Sequence, residues 1–230
     1  MRILVINPNT TASMTEKIGS AAREVAGPGT EIVARNPLTG PVSIQGPEDG
    51  EAALPGLFTE IDKANAEDFD AIIIACFDDT GLYQARQRTA RPVIGIGEAG
   101  YHAATLIAGR FSVVTTLSVS VPIIEDNIVI YGFDKRCARV RASEVPVLEL
   151  ERPGSDACRT ISLEIATALT DDGVDAIVLG CAGMADLAHQ LSLEHGVPVI
   201  DGVAAAVKLA EMLHALGLQT SQAGRFRKVA

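Results

Sequence analysis

FDAIIIACFDDTGL (69–82) and VDAIVLGCAGMADL (174–187) are two versions of one pattern. Each passes from an aspartate through an unbroken apolar run to a cysteine, Cys76 in the first and Cys181 in the second, 105 positions apart. An apolar run without alternation marks a strand buried on both faces, as in a parallel sheet. The likeness extends outward. RPVIGIGEA (91–99) recurs as VPVIDGVAA (197–205), 106 positions on, and MRILVIN (1–7) recurs more loosely in GRFSVVTT (109–116). A near-constant offset across separate segments indicates a duplicated α/β unit.

Strand-like runs at 2–6, 31–34, 71–76 and 93–96 alternate with helical patterns at 11–26, 51–66, 80–89 and 98–108. The series begins again with strands at 111–116, 139–142, 176–180 and 197–200 and helices at 121–131, 155–171, 184–194 and 203–216. The predicted fold is α/β with parallel sheets, built from a duplicated unit, and if the two sheets face each other across a cleft their strand ends converge there. Parallel sheets bind ligands beyond the carboxyl ends of their strands. Those ends carry Asn7 to Asn9, Cys76 to Asp79, Thr115 and Thr116, and Cys181 to Gly183. The Pro- and Gly-rich stretch 36–50, NPLTGPVSIQGPEDG, is long enough to be a functional loop and is expected to wall or cover the cleft. The segment after Gly217 has no apolar period and is expected to be a frayed tail, its RFRK a weak anion-site candidate.

The net charge of −10 opposes nucleic-acid binding, which needs a cationic surface. A 4% aromatic share without Trp opposes base- or sugar-stacking platforms. Hydrophobic residues at 47% supply a sizeable core, yet no run approaches a bilayer span. No signal-peptide pattern is visible at the start, so a cytoplasmic, membrane-free protein with free thiols is expected.

A free cysteine is ordinarily a small buried apolar side chain. Two of them at matched strand ends of a repeat point to chemistry. Inversion of a stereocentre next to a carbonyl needs a proton acceptor on one face of the carbon and a donor on the other, and Cys76 and Cys181 fit those roles. Both precede a predicted helix, so backbone N–H groups are expected to lower their pKa toward neutrality. The acidic pair Asp78 and Asp79 opposes a thiolate at Cys76 unless the charges point away or cap a helix. Such proton transfer requires no metal and no organic cofactor. Cys137 and Cys158 have no copy in the other half and read as bystanders. His102, His189, His195 and His214 match no metal-ligand spacing. GIGEAG (95–100) is not a full dinucleotide fingerprint, and Glu98 would repel a phosphate. Asp201 reads as a helix cap.

INPNTT (6–11), SIQG (43–46), ACFDDTGL (75–82), VIGIGEA (93–99), FSVVTT (111–116), GCAGMADL (180–187) and PVIDGVAAAVKL (198–209), in that order and spacing, resemble the hydantoin racemases of the aspartate/glutamate racemase superfamily. The resemblance runs from residue 1 to about 213. It implies two similar parallel-sheet α/β domains related by a pseudo-two-fold, with the active-site cleft between them, discontinuous as 1–100 plus 205–230 and 101–204 because the last helix packs back on the first domain. It implies cofactor-independent racemisation of 5-monosubstituted hydantoins with Cys76 and Cys181 as the two bases, and a homo-oligomer. In the superfamily's amino-acid racemases Thr or Asn follows each cysteine and helps hold a carboxylate; here Phe77 and Ala182 stand there, which opposes aspartate or glutamate as substrate. Backbone amides at Phe77, Asp78, Ala182 and Gly183 are candidates for the ring oxygens. Asn9, Thr115 and Thr116 are candidates for side-chain hydrogen bonds, and Ile44 and Phe77 for the ring substituent. Allantoin racemase and maleate isomerase remain as enzymatic alternatives. A two-lobed binding module that closes without chemistry is the non-enzymatic one, opposed by the paired cysteines.

Overall fold

The computed structural model describes residues 1–227. The first half contains β1 (Arg2–Ile6), α1 (Ala12–Val25), β2 (Glu31–Arg35), α2 (Pro47–Ala64), β3 (Ala71–Ile74), α3 (Leu82–Arg86), β4 (Val93–Gly95) and α4 (Ile96–Ile107). The second contains β5 (Phe111–Thr115), α5 (Val121–Tyr131), β6 (Cys137–Ala142), α6 (Ala157–Asp171), β7 (Ala176–Gly180), α7 (Ala188–His195), β8 (Val199–Ile200) and α8 (Gly202–Ala215). Each half forms one parallel four-stranded sheet, in the orders β2-β1-β3-β4 and β6-β5-β7-β8. The identical order is the duplication read from the sequence.

Successive side chains of a strand point to opposite faces, so each apolar strand feeds two cores. Ile3 and Val5 of β1, Ala71 and Ile73 of β3, Phe111 and Val113 of β5, and Ala176 and Val178 of β7 share one cluster that runs across both halves. The intervening Leu4, Ile6, Ile72 and Ile74 pack outward with Leu57 and Ile61 of α2. Val114, Ile177 and Leu179 pack outward with Ile161 and Ile165 of α6. α4 and α8 sit in the shared cluster through Ile96, Ala99, Tyr101 and Ala104 and through Val203, Ala206, Val207 and Ala210, and α8 also packs on α1. No helix among the described residues is long and apolar enough to cross a membrane.

The larger differences from the sequence reading are these. α2 starts at Pro47 within the segment expected to be loop, because proline is pre-set for the first helical position and Glu48 and Asp49 complement the helix dipole. The expected 184–194 helix is split into a 3₁₀ turn, Ala182–Leu187, and α7. The expected 80–89 helix shrinks to the five residues of α3. The segment after Gly217 is anchored rather than frayed over its described part. Thr220 bonds the carbonyls of Ala90 and Arg91, and Phe226 stacks on Tyr83 at 5.7 Å between centroids. Lys228, the last residue of RFRK, lies outside the described residues.

Helix α8 can approach α4 because its first residue is glycine. A Cβ at Gly202 would lie 2.3 Å from the Ile96 carbonyl oxygen, so the two backbones must part to admit one. A Cβ at Gly50, inside α2, meets nothing nearer than Thr80 at 3.8 Å. Gly202→Ala is predicted to destabilise by about 1–3 kcal/mol, and Gly50→Ala to stabilise by about 0.4–1 kcal/mol through the unfolded state. Thermal unfolding should therefore show melting temperatures displaced in opposite directions; shifts of the same sign would contradict this packing.

Candidate active site

The carboxyl ends of β1, β3, β5 and β7 converge on one cleft. Its walls include Asn7, Asn9, Ile44, Cys76, Phe77, Asp78, Thr115, Thr116, Ser120, Val147, Cys181 and Ala182. Counting its solvent-open mouth the cleft holds about 400 Å³, but the part wide enough for the centre of a water molecule is only about 30 Å³. It is a narrow slot.

Both sulfurs open onto this slot and are partly buried. They lie close enough for charge on Cys181 to oppose ionisation of Cys76. Cys76 follows β3 by one residue and Cys181 directly follows β7, so equivalent turns place them. In each turn the backbone two residues on, at Asp78 or Gly183, favours the charged form of the sulfur. Thr80 Oγ1 stands 3.4 Å from Cys76 Sγ. These contacts favour a thiolate, but they do not prevail. Burial pushes the Cys181 thiol up to about 11 and the Cys76 thiol further up. The expected lowering toward neutrality is thus overturned. Both turns lead into short structures rather than long helices, and a confined slot solvates an anion poorly. Cys181 is the more easily ionised: burial is the largest cause at both sulfurs and Asp78 opposes a thiolate at either, but Lys17 favours one at Cys181.

The two adjacent aspartates have separate tasks. Asp79 adopts a left-handed φ of 49° and turns away from the slot. Its carboxylate accepts from the amides of Gly97 (3.0 Å) and Glu98 (2.8 Å) at the start of α4 and from the Tyr131 hydroxyl (3.0 Å). Asp78 faces the slot, where Ser120 Oγ donates to it at 3.3 Å and Asn127 Nδ2 holds its backbone carbonyl at 2.9 Å. Burial pushes the Asp78 carboxyl up to about 7.

The other sequence candidates are distributed as follows. Asn9 lines the slot, but its side chain is engaged in its own turn, accepting from Asn7 Nδ2 (2.8 Å) and Thr11 N (2.9 Å). Thr115 lines it while its hydroxyl donates to the Gly180 carbonyl at 2.8 Å. Thr116, Ile44, Phe77 and Ala182 also line it; Gly183 does not, standing behind Cys181 against Leu150. Thr80, Ser120, Met14 and Val147 were not singled out by sequence reasoning. Ser120 lies just beyond β5 and was within reach of the strand-end rule. Thr80, four residues after Cys76, carried no separate signal. Asp201 caps α8, accepting from Val203 N (2.9 Å) and Ala204 N (2.8 Å).

Comparison with known proteins agrees with this geometry. A family model described as Asp/Glu/Hydantoin racemase matches residues 3–210. A hydantoin racemase of Rhizobium meliloti is 48% identical over 226 residues, covering 98% of this chain and 94% of the relative. The solved structure of an allantoin racemase from Klebsiella pneumoniae is 48% identical and superposes with a TM-score of 0.97, covering 100% of this chain and 94% of that one. An allantoin racemase from Pseudomonas fluorescens is 42% identical with a TM-score of 0.96, covering 100% and 97%. A duplicated α/β fold with a cysteine at the head of each matched turn, and a family match spanning both halves, have one reading: the chain is an isomerase belonging to the Asp/Glu/Hydantoin racemase family.

Proposed function

We propose that the protein racemises 5-monosubstituted hydantoins by proton transfer at C5 between Cys76 and Cys181. The observation that carries this reading is the make-up of the slot: two thiols, one inward carboxyl and no lysine or arginine among its lining residues. An amino acid or dicarboxylate would enter without a counter-ion and meet Asp78, a costly arrangement in a poorly solvated site. A hydantoin ring is uncharged and carries two N–H donors and two carbonyl acceptors. Asp78 takes a ring N–H, and the Phe77 and Ala182 amides face the ring oxygens.

The thiolate of one cysteine removes the C5 proton. The electron pair passes into the neighbouring C4 carbonyl, giving an enolate whose oxygen is held by backbone N–H donors. The thiol of the other cysteine delivers its proton to the opposite face. One S–H bond forms, one breaks, and the charge has changed sulfurs. No electrons are gained or lost overall, so the chemistry calls for no redox cofactor. Loop 36–46 lies at the mouth of the slot, where Ile44 lines it and Gln45 is tied to Val147, and we assign the widening needed for substrate entry to this loop. Allantoin, a hydantoin with a ureido substituent, falls within the same class. It is favoured by the two solved relatives so named and by the polar wall of Asp78, Thr116 and Ser120.

Three outcomes are expected. Polarimetry with enantiopure benzylhydantoin, isopropylhydantoin, allantoin and aspartate should show rotation lost for one or more hydantoins and retained for aspartate. Racemised aspartate with unchanged hydantoins would overturn the substrate class. Cys76→Ser and Cys181→Ser should each slow racemisation by about 10²–10⁴-fold without altering the circular dichroism spectrum, and undiminished activity in either rules out the paired roles. Burial holds both thiols neutral at pH 7, so kcat/KM of the wild type should climb on the alkaline side. Asp78→Asn removes a negative charge that opposes ionisation of Cys76. Its alkaline limb should move to lower pH while KM for the hydantoin rises; a limb that stays in place or moves upward contradicts this assignment.

A further inference from the structure

Lys17 lies mid-way along α1, on the first half, yet its contacts are with the second. Its Nζ donates to the carbonyl of Leu150 at 2.9 Å and to that of Gly183 at 3.4 Å. It also pairs with Glu151 Oε1 at 3.2 Å and Asp186 Oδ2 at 3.8 Å. These four partners come from two turns, Val147–Glu151 and Ala182–Leu187, that pack on one another. Leu150 lies against Gly183, where a Cβ would come within 2.9 Å of Leu150 Cδ1. The Gly183 backbone also abuts the sulfur, since a Cβ there would lie 3.6 Å from Cys181 Sγ, and it favours the charged form of that thiol. The Val147–Glu151 turn also supplies Val147 to the slot wall and is tied to the mouth loop by the Val147 amide donating to Gln45 Oε1 at 3.1 Å.

We propose that Lys17 is a positioning residue for Cys181: its ammonium gathers the two turns of the second half, fixes the peptide that holds the Cys181 sulfur, and sets a positive charge behind that thiol.

An ordinary surface ion pair contributes little and is readily replaced. Lys17 differs in what surrounds it. Its side chain is 23% exposed and that of Glu151 15%. Glu151 Oε1 is buried and receives no hydrogen bond of good geometry, so Lys17 is its counter-ion. The charged groups facing Cys181 are Asp78 from the loop after β3, Glu151 from the Val147–Glu151 turn, and Lys17 from α1. Asp186 pairs with Lys17 from the other side. Without the ammonium, Cys181 faces carboxylates alone. Among the described residues no cation acts on Cys76 as Lys17 acts on Cys181; its support is the Thr80 hydroxyl and the Asp78 backbone. The inference thus assigns the two thiols unequal electrostatic settings, and it rests on the reading of Cys181 as a proton carrier.

The test separates the two readings by measuring thiol ionisation apart from turnover. Iodoacetamide alkylation of Cys76 and of Cys181 is followed against pH by peptide mass spectrometry in the full chain, alongside kcat and KM for a hydantoin. In Lys17→Met the Cys181 profile should move about one pH unit alkaline, slowing its alkylation about tenfold at a fixed pH below the midpoint, while the Cys76 profile stays. kcat should fall by a similar factor with KM little changed, and Lys17→Arg should recover most of both. Glu151→Gln, which keeps the lysine and its carbonyl contacts, should move the Cys181 profile the opposite way and remains informative if Lys17→Met does not fold. An unmoved Cys181 profile in the folded Lys17→Met variant, equal movement of both thiols, or an unmoved profile in Glu151→Gln would overturn the proposal. Racemisation that survives Cys181→Ser would defeat the underlying reading instead, whatever the alkylation profiles show.

Discussion

Desolvation of two sulfur atoms in a confined slot governs the site. An anion in such a place has few dipoles to answer it, and both thiols are consequently held neutral at ordinary pH. The surroundings then act as small corrections on a large penalty. An amide from Asp78 or Gly183, the Thr80 hydroxyl and the Lys17 ammonium each favour a thiolate; Asp78 and Glu151 each oppose one. A base that is uncharged at rest and strong once ionised suits removal of a carbon-bound proton, provided substrate binding brings its own N–H and C=O dipoles into the slot.

The fold keeps that slot narrow by sharing a core. Inward residues of both sheets and the apolar faces of α4 and α8 form one cluster, so the halves pack against each other as well as within themselves. Close approaches at Gly100, whose Cβ would meet Val178 at 2.8 Å, and at Gly202 leave no room for larger side chains between them. Asp79 joins this frame to the slot: by capping α4 and accepting from Tyr131 it fixes the loop that carries Cys76 and leaves Asp78 facing the slot.

The sheet architecture was legible because β3 and β7 are unbroken apolar runs and β1 and β5 are mostly apolar, and because the repeat aligns Cys76 with Cys181. The strand-end rule then brought Asn9, Thr115 and Thr116 to the same cleft. Their side-chain bonding was not legible. Asn9 and Thr115 use their polar atoms to fix the turns around them, a choice made by local geometry rather than by residue type. The split between Asp78 and Asp79 depends on one left-handed φ, and adjacent identical residues give no sign of it. Lys17 looks like any helix-surface lysine until the fold brings Leu150 and Gly183 to it from more than 130 positions away. The early start of α2 had a local signal in Pro47, Glu48 and Asp49, masked by the surrounding glycines and prolines. The docked segment around Thr220 and Phe226 has no periodicity because it is held by single contacts rather than by a face.

Racemisation of a single enantiomer in deuterated water, followed by mass and optical purity together at early times and corrected for the enzyme-free rate, addresses the central claim most directly. Two thiols acting from opposite faces require the newly formed enantiomer to carry deuterium at C5 from the first turnovers, while the unreacted enantiomer keeps its hydrogen. Deuterium entering the starting enantiomer as fast as the product, or product that retains the original hydrogen, would contradict transfer between Cys76 and Cys181.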